Sequence, residues 1–466
     1  MSRYDLVVIG SGPAGEKGAT QAAYFGKKVA LVEKAKVLGG AAANAGTLSS
    51  KTLRETALYL SGFRQRGLYG VDMTLDHRVT VKDLLFRERV VKDQERDRVG
   101  WNLDRHGVEL VRGAARFLDA NRVEVHAPGG DRVLEAEKVL IATGSSPFRP
   151  PVFPFESPRV HDSDELVDLV AIPKRMAVVG GGVIGCEYAC MFQALGVQVT
   201  LVEGKEKLLT FLDAEISEAL TARMKAMGIV LQKPDSVVKC EAGEGDAPIQ
   251  LAMKSGGTLE VDQVLVAAGR NGNTGSLGLE AVGLKPNQRG CLEVNQHFQT
   301  SVPNIYAAGD VIGFPALAST SMEQARIAVV HAFDLKYKSS LAPVLPFGIY
   351  TIPEVSMAGA TEQELQEKKV PYVVGRTSYG MNARGQIIGD QTGLLKLIFE
   401  PEHMKLLGVH VIGEQATEMI HVGLTALLSG GTADLFIQTC FNYPTLSEMY
   451  KYATYDALGA KAKAAK

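Results

Sequence analysis

Two glycine fingerprints, each followed at the same distance by a strand ending in glutamate, predict an α/β protein with two Rossmann-like dinucleotide-binding domains and a C-terminal α+β domain. In "YDLVVIGSGPAG", Gly10, Gly12 and Gly15 follow a run of strand formers, and Glu33 closes the next strand, "KKVALVE", 23 residues after Gly10. In "RMAVVGGGVIG", Gly180, Gly182 and Gly185 do the same, and Glu203 closes "VQVTLVE", again 23 residues on. The third observation is a change of pattern after "LAPVLPFGIYTIPE", to short strands such as "GLLKLIFE" and a helical stretch, "EQATEMIHVGLTALLSG".

Each fingerprint has a physical reading. The first glycine makes the tight turn, the second lets the backbone approach a pyrophosphate, and the third lets helix pack on strand, with phosphate at the helix N-terminus. The terminal glutamate accepts hydrogen bonds from ribose hydroxyls. One such motif is weak; strand, turn, helix, strand and acid in register, twice, is specific.

Between the modules, "KVLIATGSSPFRP" reads as a strand, a glycine turn at Gly144 and a proline-rich linker. "QVLVAAGRNGNTGSLGL" repeats that logic after the second module, and "VPNIYAAGDVIG" returns a strand with Asp310 at its tip. The first domain is therefore expected to be discontinuous: residues 1–150 and 276–340, with 151–275 as the inserted nucleotide domain and 341–466 as the α+β domain. "KDQERDR" reads as a solvated helix face and "ALGAKAKAAK" as a fraying helix end.

Composition supports a soluble globular chain of about three domains: 466 residues, 46% hydrophobic, 22% charged, net charge −2. Nothing in it marks a nucleic-acid footprint, a membrane span or a secretion signal, so a cytoplasmic location is expected, with no nucleic acid and no membrane as partner. The five cysteines are odd in number and scattered, against a disulfide framework or a metal site. Cys186 and Cys190 stand four apart on an expected helix, where Cβ atoms lie about 5–6 Å apart; a disulfide wants roughly 3.5–4.5 Å. They read as small buried thiols.

The motifs "GTLSSKTLRE", "GVIGCEYA", "LLTFLDAEIS", "GRNGNTGSLGL", "GDVIGFPALAS", "FGIYTIPEVS", "GEQATEMIHVG" and "FNYPTLSEMY" run from end to end of the chain. Together they resemble the class I pyridine nucleotide-disulfide oxidoreductases, the family of dihydrolipoamide dehydrogenase and glutathione reductase, and within it the soluble pyridine nucleotide transhydrogenases. The resemblance implies an FAD domain, an inserted NAD(P) domain and a C-terminal dimerisation domain that makes a homodimer. It places FAD at Gly10, Gly12, Gly15, Glu33, Gly39, Gly40, Lys51, Gly113, Gly144 and Asp310, with Asp310 on the ribityl chain. It places the nicotinamide nucleotide at Gly180, Gly182, Gly185, Glu203 and Gly269. Lys51 would approach the flavin N5 edge and pair with Glu187, the two acting as catalytic residues; a cation there stabilises the charge of a reduced flavin.

The resemblance also exposes an absence. In "GGAAANAGTLSSK" the family's two redox cysteines are replaced by Ala42 and Thr47, and in "FNYPTLSE" Tyr443 stands where the disulfide reductases carry a histidine, while Glu448 stays. Neither Ala42 nor Thr47 has a sulfur to form or break a bond, and a phenol with a pKa near 10 is a poor base at neutral pH. What remains is hydride transfer between NADPH/NADP and NAD/NADH through the flavin, by a ping-pong route of the Si-specific transhydrogenase type. A diaphorase-like reductase of an external acceptor such as a quinone, and a non-catalytic flavoprotein, are the alternatives. Glu203 favours NAD(H); Lys205 and Lys207 either neutralise an NADP 2′-phosphate or form a solvated turn, which leaves NADP(H) open.

Overall fold

The computed structural model describes residues 2–63, 68–69, 80–127, 129–245 and 247–464. Strand Ser2–Ile9 lies at the centre of the first sheet, parallel to Val29–Glu33 on one side and to Arg132–Ile141 on the other. Its Leu6, Val7 and Val8 are at most 1% exposed, as a parallel strand covered on both faces requires. Glu109–Arg112 extends the sheet beyond Val29–Glu33, and an antiparallel pair, Ala114–Asp119 and Arg122–His126, extends the other side. Helices Pro13–Tyr24 and Ala318–Ala332 pack together on one face of it. Ile305–Ala307 pairs in parallel with Arg132–Ile141, so the chain rejoins this sheet after the second module.

The second module is a fully parallel five-stranded sheet, in the order Val230–Gln232, Gln198–Val202, Arg175–Val179, Gln263–Val266, Val160–Asp162. A three-stranded antiparallel sheet, Val237–Glu241, Ile249–Met253 and Thr258–Val261, shares a buried cluster with it through Val160, Ala177 and Leu251. Between modules the outgoing strand Ser145–Pro147 pairs antiparallel with the returning strand Arg270–Gly272. Two passes of the chain thus brace one another.

The C-terminal part is an antiparallel sheet in the order Phe347–Ile349, Glu354–Gly359, Leu406–Gly413, Leu394–Phe399, Val373–Ser378, with helices Ala416–Leu428 and Met449–Ala464 packed on it. The tail expected to fray is regular helix as far as Ala464, with Ala453 and Ala457 at 0% exposure. Their small side chains let the helix lie against Gly375, where a Cβ would meet the Ala453 carbonyl oxygen at 1.9 Å.

A buried ion cluster ties this sheet to the second module. Lys396, at 0% exposure, sits 2.7 Å from Asp213 and 2.9 Å from Glu215, and also pairs with Glu362. Its ammonium occupies the centre of an acidic triad, and a buried charge of this kind survives only because it is paired. Cys186 and Cys190 are free and fully buried on helix Val183–Ala194; burial pushes the Cys186 thiol well up and the Cys190 thiol to about 12, so both stay protonated.

Candidate functional site

The two fingerprints repeat at atomic detail. Gly10 and Gly180 have φ of 106° and 112°, and a Cβ on either would lie 2.4 Å from a carbonyl oxygen of the strand beside it, Ala142 or Ala267. A Cβ on Gly15 or Gly185 would lie 1.8 Å from the carbonyl oxygen of Gly10 or Gly180. These four glycines are demanded by the fold. Gly182 is different: nothing lies within 4 Å of a Cβ there, so the packing of the chain does not demand its bareness.

The terminal glutamates repeat as well. Glu33 accepts the Ser11 amide at 2.9 Å and the Ala35 amide at 2.8 Å; Glu203 accepts the Gly181 amide at 2.6 Å and the Lys205 amide at 2.8 Å. In each case the residue after the first glycine and the residue two beyond the acid hold one carboxylate between them. Ser11 Oγ adds a bond of 2.6 Å to Glu33 and accepts the Gly39 amide at 3.1 Å, which fixes the second glycine turn. There Gly39 and Gly40 have positive φ, and a Cβ on Gly40 would come within 2.8 Å of the Gly12 Cα. Two bare backbone turns therefore face each other beside a carboxylate, a cradle that fits the pyrophosphate and ribose of a dinucleotide.

Gly113 donates its amide to the Glu33 carbonyl, and Gly144 and Gly269, both at positive φ, begin and end the two links between modules. Asp310 is partly exposed at the tip of the strand that returns to the first sheet, and accepts Ser145 Oγ at 2.8 Å. A cleft of about 290 Å³ is lined by Gly180, Gly182, Glu203, Asp235 and Ser236. Lys205 and Lys207 are exposed beyond Glu203, and Lys207 pairs with Glu218 at 3.1 Å.

Lys51 and Glu187, 136 residues apart, meet at 2.7 Å. Lys51 comes from helix Thr47–Ser61 and Glu187 from Val183–Ala194; the carboxylate is 5% exposed and the lysine side chain 26%. The other oxygen of Glu187 accepts the Tyr350 amide at 2.8 Å, and the Lys51 ammonium lies 5.0 Å from the Tyr350 ring centroid. Burial raises the Tyr350 phenol above its ordinary range, so it stays neutral. Tyr350 is absent from the residues the sequence singled out, for no spacing links position 350 to 51 or 187.

The turn that lacks sulfur is held by other means. Gly40–Asn44 forms a short helix with Ala43 buried; Asn44 donates to the carbonyls of Leu38 and Gly40 and accepts Arg96 at 2.7 Å. Ala42 is half-buried and Thr47 exposed. One turn beyond Lys51, the buried Arg54 donates to the Thr351 carbonyl at 3.0 Å and pairs with Glu354 at 3.4 Å, locking the helix onto the C-terminal sheet. Tyr443 is 73% exposed, in the company of Glu448, Tyr452 and Tyr455.

Comparison with known proteins gives one answer. The profile of the pyridine nucleotide-disulphide oxidoreductases matches residues 4–331, and that of their dimerisation domain residues 345–454. The chain is 45% identical over 460 residues to the soluble pyridine nucleotide transhydrogenase of Mycobacterium tuberculosis, covering 98% of both proteins. It is 42% identical over 460 residues to that of Erwinia tasmaniensis, again covering 98% of both. Among solved structures it is similar to LpdA from Mycobacterium tuberculosis, with a TM-score of 0.89 at 26% identity over 98% of this chain and 99% of that one. It is also similar to the HOCl-induced flavoprotein disulfide reductase RclA from Escherichia coli, with a TM-score of 0.87 at 26% identity over 96% and 98%.

Proposed function

The chain belongs to the pyridine nucleotide-disulphide oxidoreductase family, and from that premise we propose that it is an FAD-dependent pyridine nucleotide transhydrogenase that works without a redox disulfide. It is a flavoprotein oxidoreductase that moves hydride between NADPH/NADP and NAD/NADH, and its C-terminal dimerisation domain joins two copies. We assign residues 1–150 and 276–340 to the FAD domain, 151–275 to the NAD(P) domain and 341–466 to the interface domain, and place the enzyme in the cytoplasm.

Bound in the first cleft, FAD supplies a two-electron carrier that takes hydride from one nicotinamide nucleotide and returns it to another. The residues of the chain do the rest. Gly10, Gly12 and Gly15 with Gly39 and Gly40 receive the pyrophosphate, Glu33 the adenosine ribose and Asp310 the ribityl chain. Gly180, Gly182, Gly185 and Glu203 receive whichever nucleotide is present, so one site serves both half-reactions. Lys51 brings a cation to the junction of the two clefts, and Glu187 balances it while Tyr350 holds that carboxylate in place.

The observation that carries this reading is the combination of an intact Lys51–Glu187 pair with Ala42 and Thr47 where sulfur would have to be. The test is anaerobic mixing of the yellow protein with NADPH, followed by a spectrally distinct oxidised NAD analogue. Bleaching of the flavin band, then its return in step with reduction of the analogue, is the expected result. A flavin restored by a quinone but not by the second nucleotide would overturn it in favour of an external-acceptor reductase.

A further inference from the structure

The two links between the nucleotide modules grip a single acidic turn of the second module. That turn, 162–165, is closed by Asp162, which accepts the Asp164 amide at 2.8 Å and the Glu165 amide at 3.2 Å. The outgoing link contributes Arg149, which bonds Asp162 at 2.8 Å and also pairs with Glu165. The returning link contributes Arg270, whose two Nη atoms fork onto the Asp164 carboxylate at 2.8 and 3.3 Å.

Arg270 does not stop there. Its Nε donates to Ser145 Oγ at 2.8 Å and its Nη2 to the Ser145 carbonyl at 2.8 Å, and Ser145 Oγ stands 2.8 Å from Asp310 Oδ2. Guanidinium nitrogen only donates, so Oγ is the acceptor in the first contact; its single proton then points at Asp310. One oxygen of Asp310 is thereby occupied, and the other has no bonding partner among the described residues.

We propose that Arg270 and Ser145 are positioning residues for Asp310, and that through them Asp164, on the nucleotide module, governs how tightly the first module holds its flavin. Fixing Asp310 by one oxygen leaves its second lone-pair set aimed and ready for a ribityl hydroxyl, at no cost in ordering when the cofactor arrives. Lysine cannot substitute for Arg270, for a point charge cannot fork onto Asp164 and at the same time donate along Nε to Ser145. The proposal rests on the reading of Asp310 as the ribityl contact.

The test is flavin release from the purified holoenzyme, followed by the rise of free-flavin fluorescence on dilution, for Asp164→Asn, Ser145→Ala, Ser145→Thr and the double variant Asp164→Asn with Ser145→Ala. Each of the first two is expected to hold FAD about tenfold more weakly, the worth of one charge-assisted hydrogen bond. Ser145→Thr, which keeps the hydroxyl, should restore retention, and the double variant should be no worse than the weaker single. Wild-type retention in Asp164→Asn, or losses that multiply in the double variant, would overturn the relay. A wild-type protein that binds no flavin would sink the functional reading instead, so the two failures are distinguishable.

Discussion

One oxygen of Glu187 lies 2.7 Å from the Lys51 ammonium while the other accepts the Tyr350 backbone amide at 2.8 Å. The carboxylate is thus tied by its second oxygen to the backbone just after strand Phe347–Ile349. Glu187→Gln keeps the shape and the Tyr350 contact but removes the balancing charge. Reduction by NADH in a stopped-flow experiment is expected to slow roughly 100-fold, the scale of losing one preorganised electrostatic partner, with flavin content unchanged. Wild-type rates in that variant would remove the pair from the reaction.

Gly185 and Gly182 separate a glycine whose bareness the fold requires from one whose bareness it does not. Gly185→Ala places a methyl 1.8 Å from the Gly180 carbonyl oxygen and is expected to destabilise the protein by about 3 kcal/mol or more. Gly182→Ala meets nothing within 4 Å, so its melting temperature should match wild type while its KM for nicotinamide nucleotides rises about tenfold. Equal melting losses in the two would contradict this division.

Sulfur alone should not convert the chain into a disulfide reductase. Ala42→Cys with Thr47→Cys is expected to give no more than background lipoamide turnover, because position 443 offers a phenol, a poorer base than the imidazole of a histidine. Adding Tyr443→His is expected to raise that turnover. Full activity from the two cysteines alone would show that the histidine position is dispensable.

Stability should fall on the acid side. Burial pushes Asp213 and Glu215 up, but hydrogen bonds from Lys396, and for Glu215 from Arg376 as well, outweigh it and hold both below the ordinary carboxylate range. Burial drives His410, at 0% exposure and with its Nδ1 unpartnered, below the ordinary imidazole range, against the pull of Asp213 and Glu364. All three shifts mean that the folded chain binds fewer protons than the unfolded one. Stability is then full above the unfolded imidazole value of about 6.5 and is lost first as pH falls through the histidine range and next through that of the carboxylates near 4. A scan of melting temperature from about pH 8 to about pH 5 should show the first loss, and His410→Gln should make it smaller, with burial of His161 and His331 supplying the rest. Lys396→Met, which strands Asp213 without its partner, is expected to cost about 3–5 kcal/mol at neutral pH.

Lys205 is exposed two residues beyond Glu203, to which it donates its backbone amide, whereas Lys207 is already paired with Glu218. Lys205→Ala is expected to raise KM for NADPH about tenfold and leave KM for NADH within a factor of two. Equal effects on both nucleotides would assign the lysine to a solvated turn.

The sequence by itself determined the two dinucleotide modules, their glycines, the glutamates that close them and the absence of sulfur at positions 42 and 47. Each of these is written within about thirty residues, because a strand–turn–helix–strand unit imposes its demands locally: a positive φ here, no Cβ there, an acid at a strand end. The tertiary structure alone decided that Tyr350 anchors Glu187, that Ser145 and Arg270 connect Asp164 to Asp310, and that Lys396 fills the triad of Asp213, Glu215 and Glu362. Most partners in these contacts come from segments more than a hundred residues apart, as with Arg270 and Asp164 or Lys396 and Asp213, and even Glu362 lies on a different element from Lys396. Hydrophobic periodicity records which face of an element is buried, not which neighbour it will meet. Only the packing of the modules against one another selects those partners.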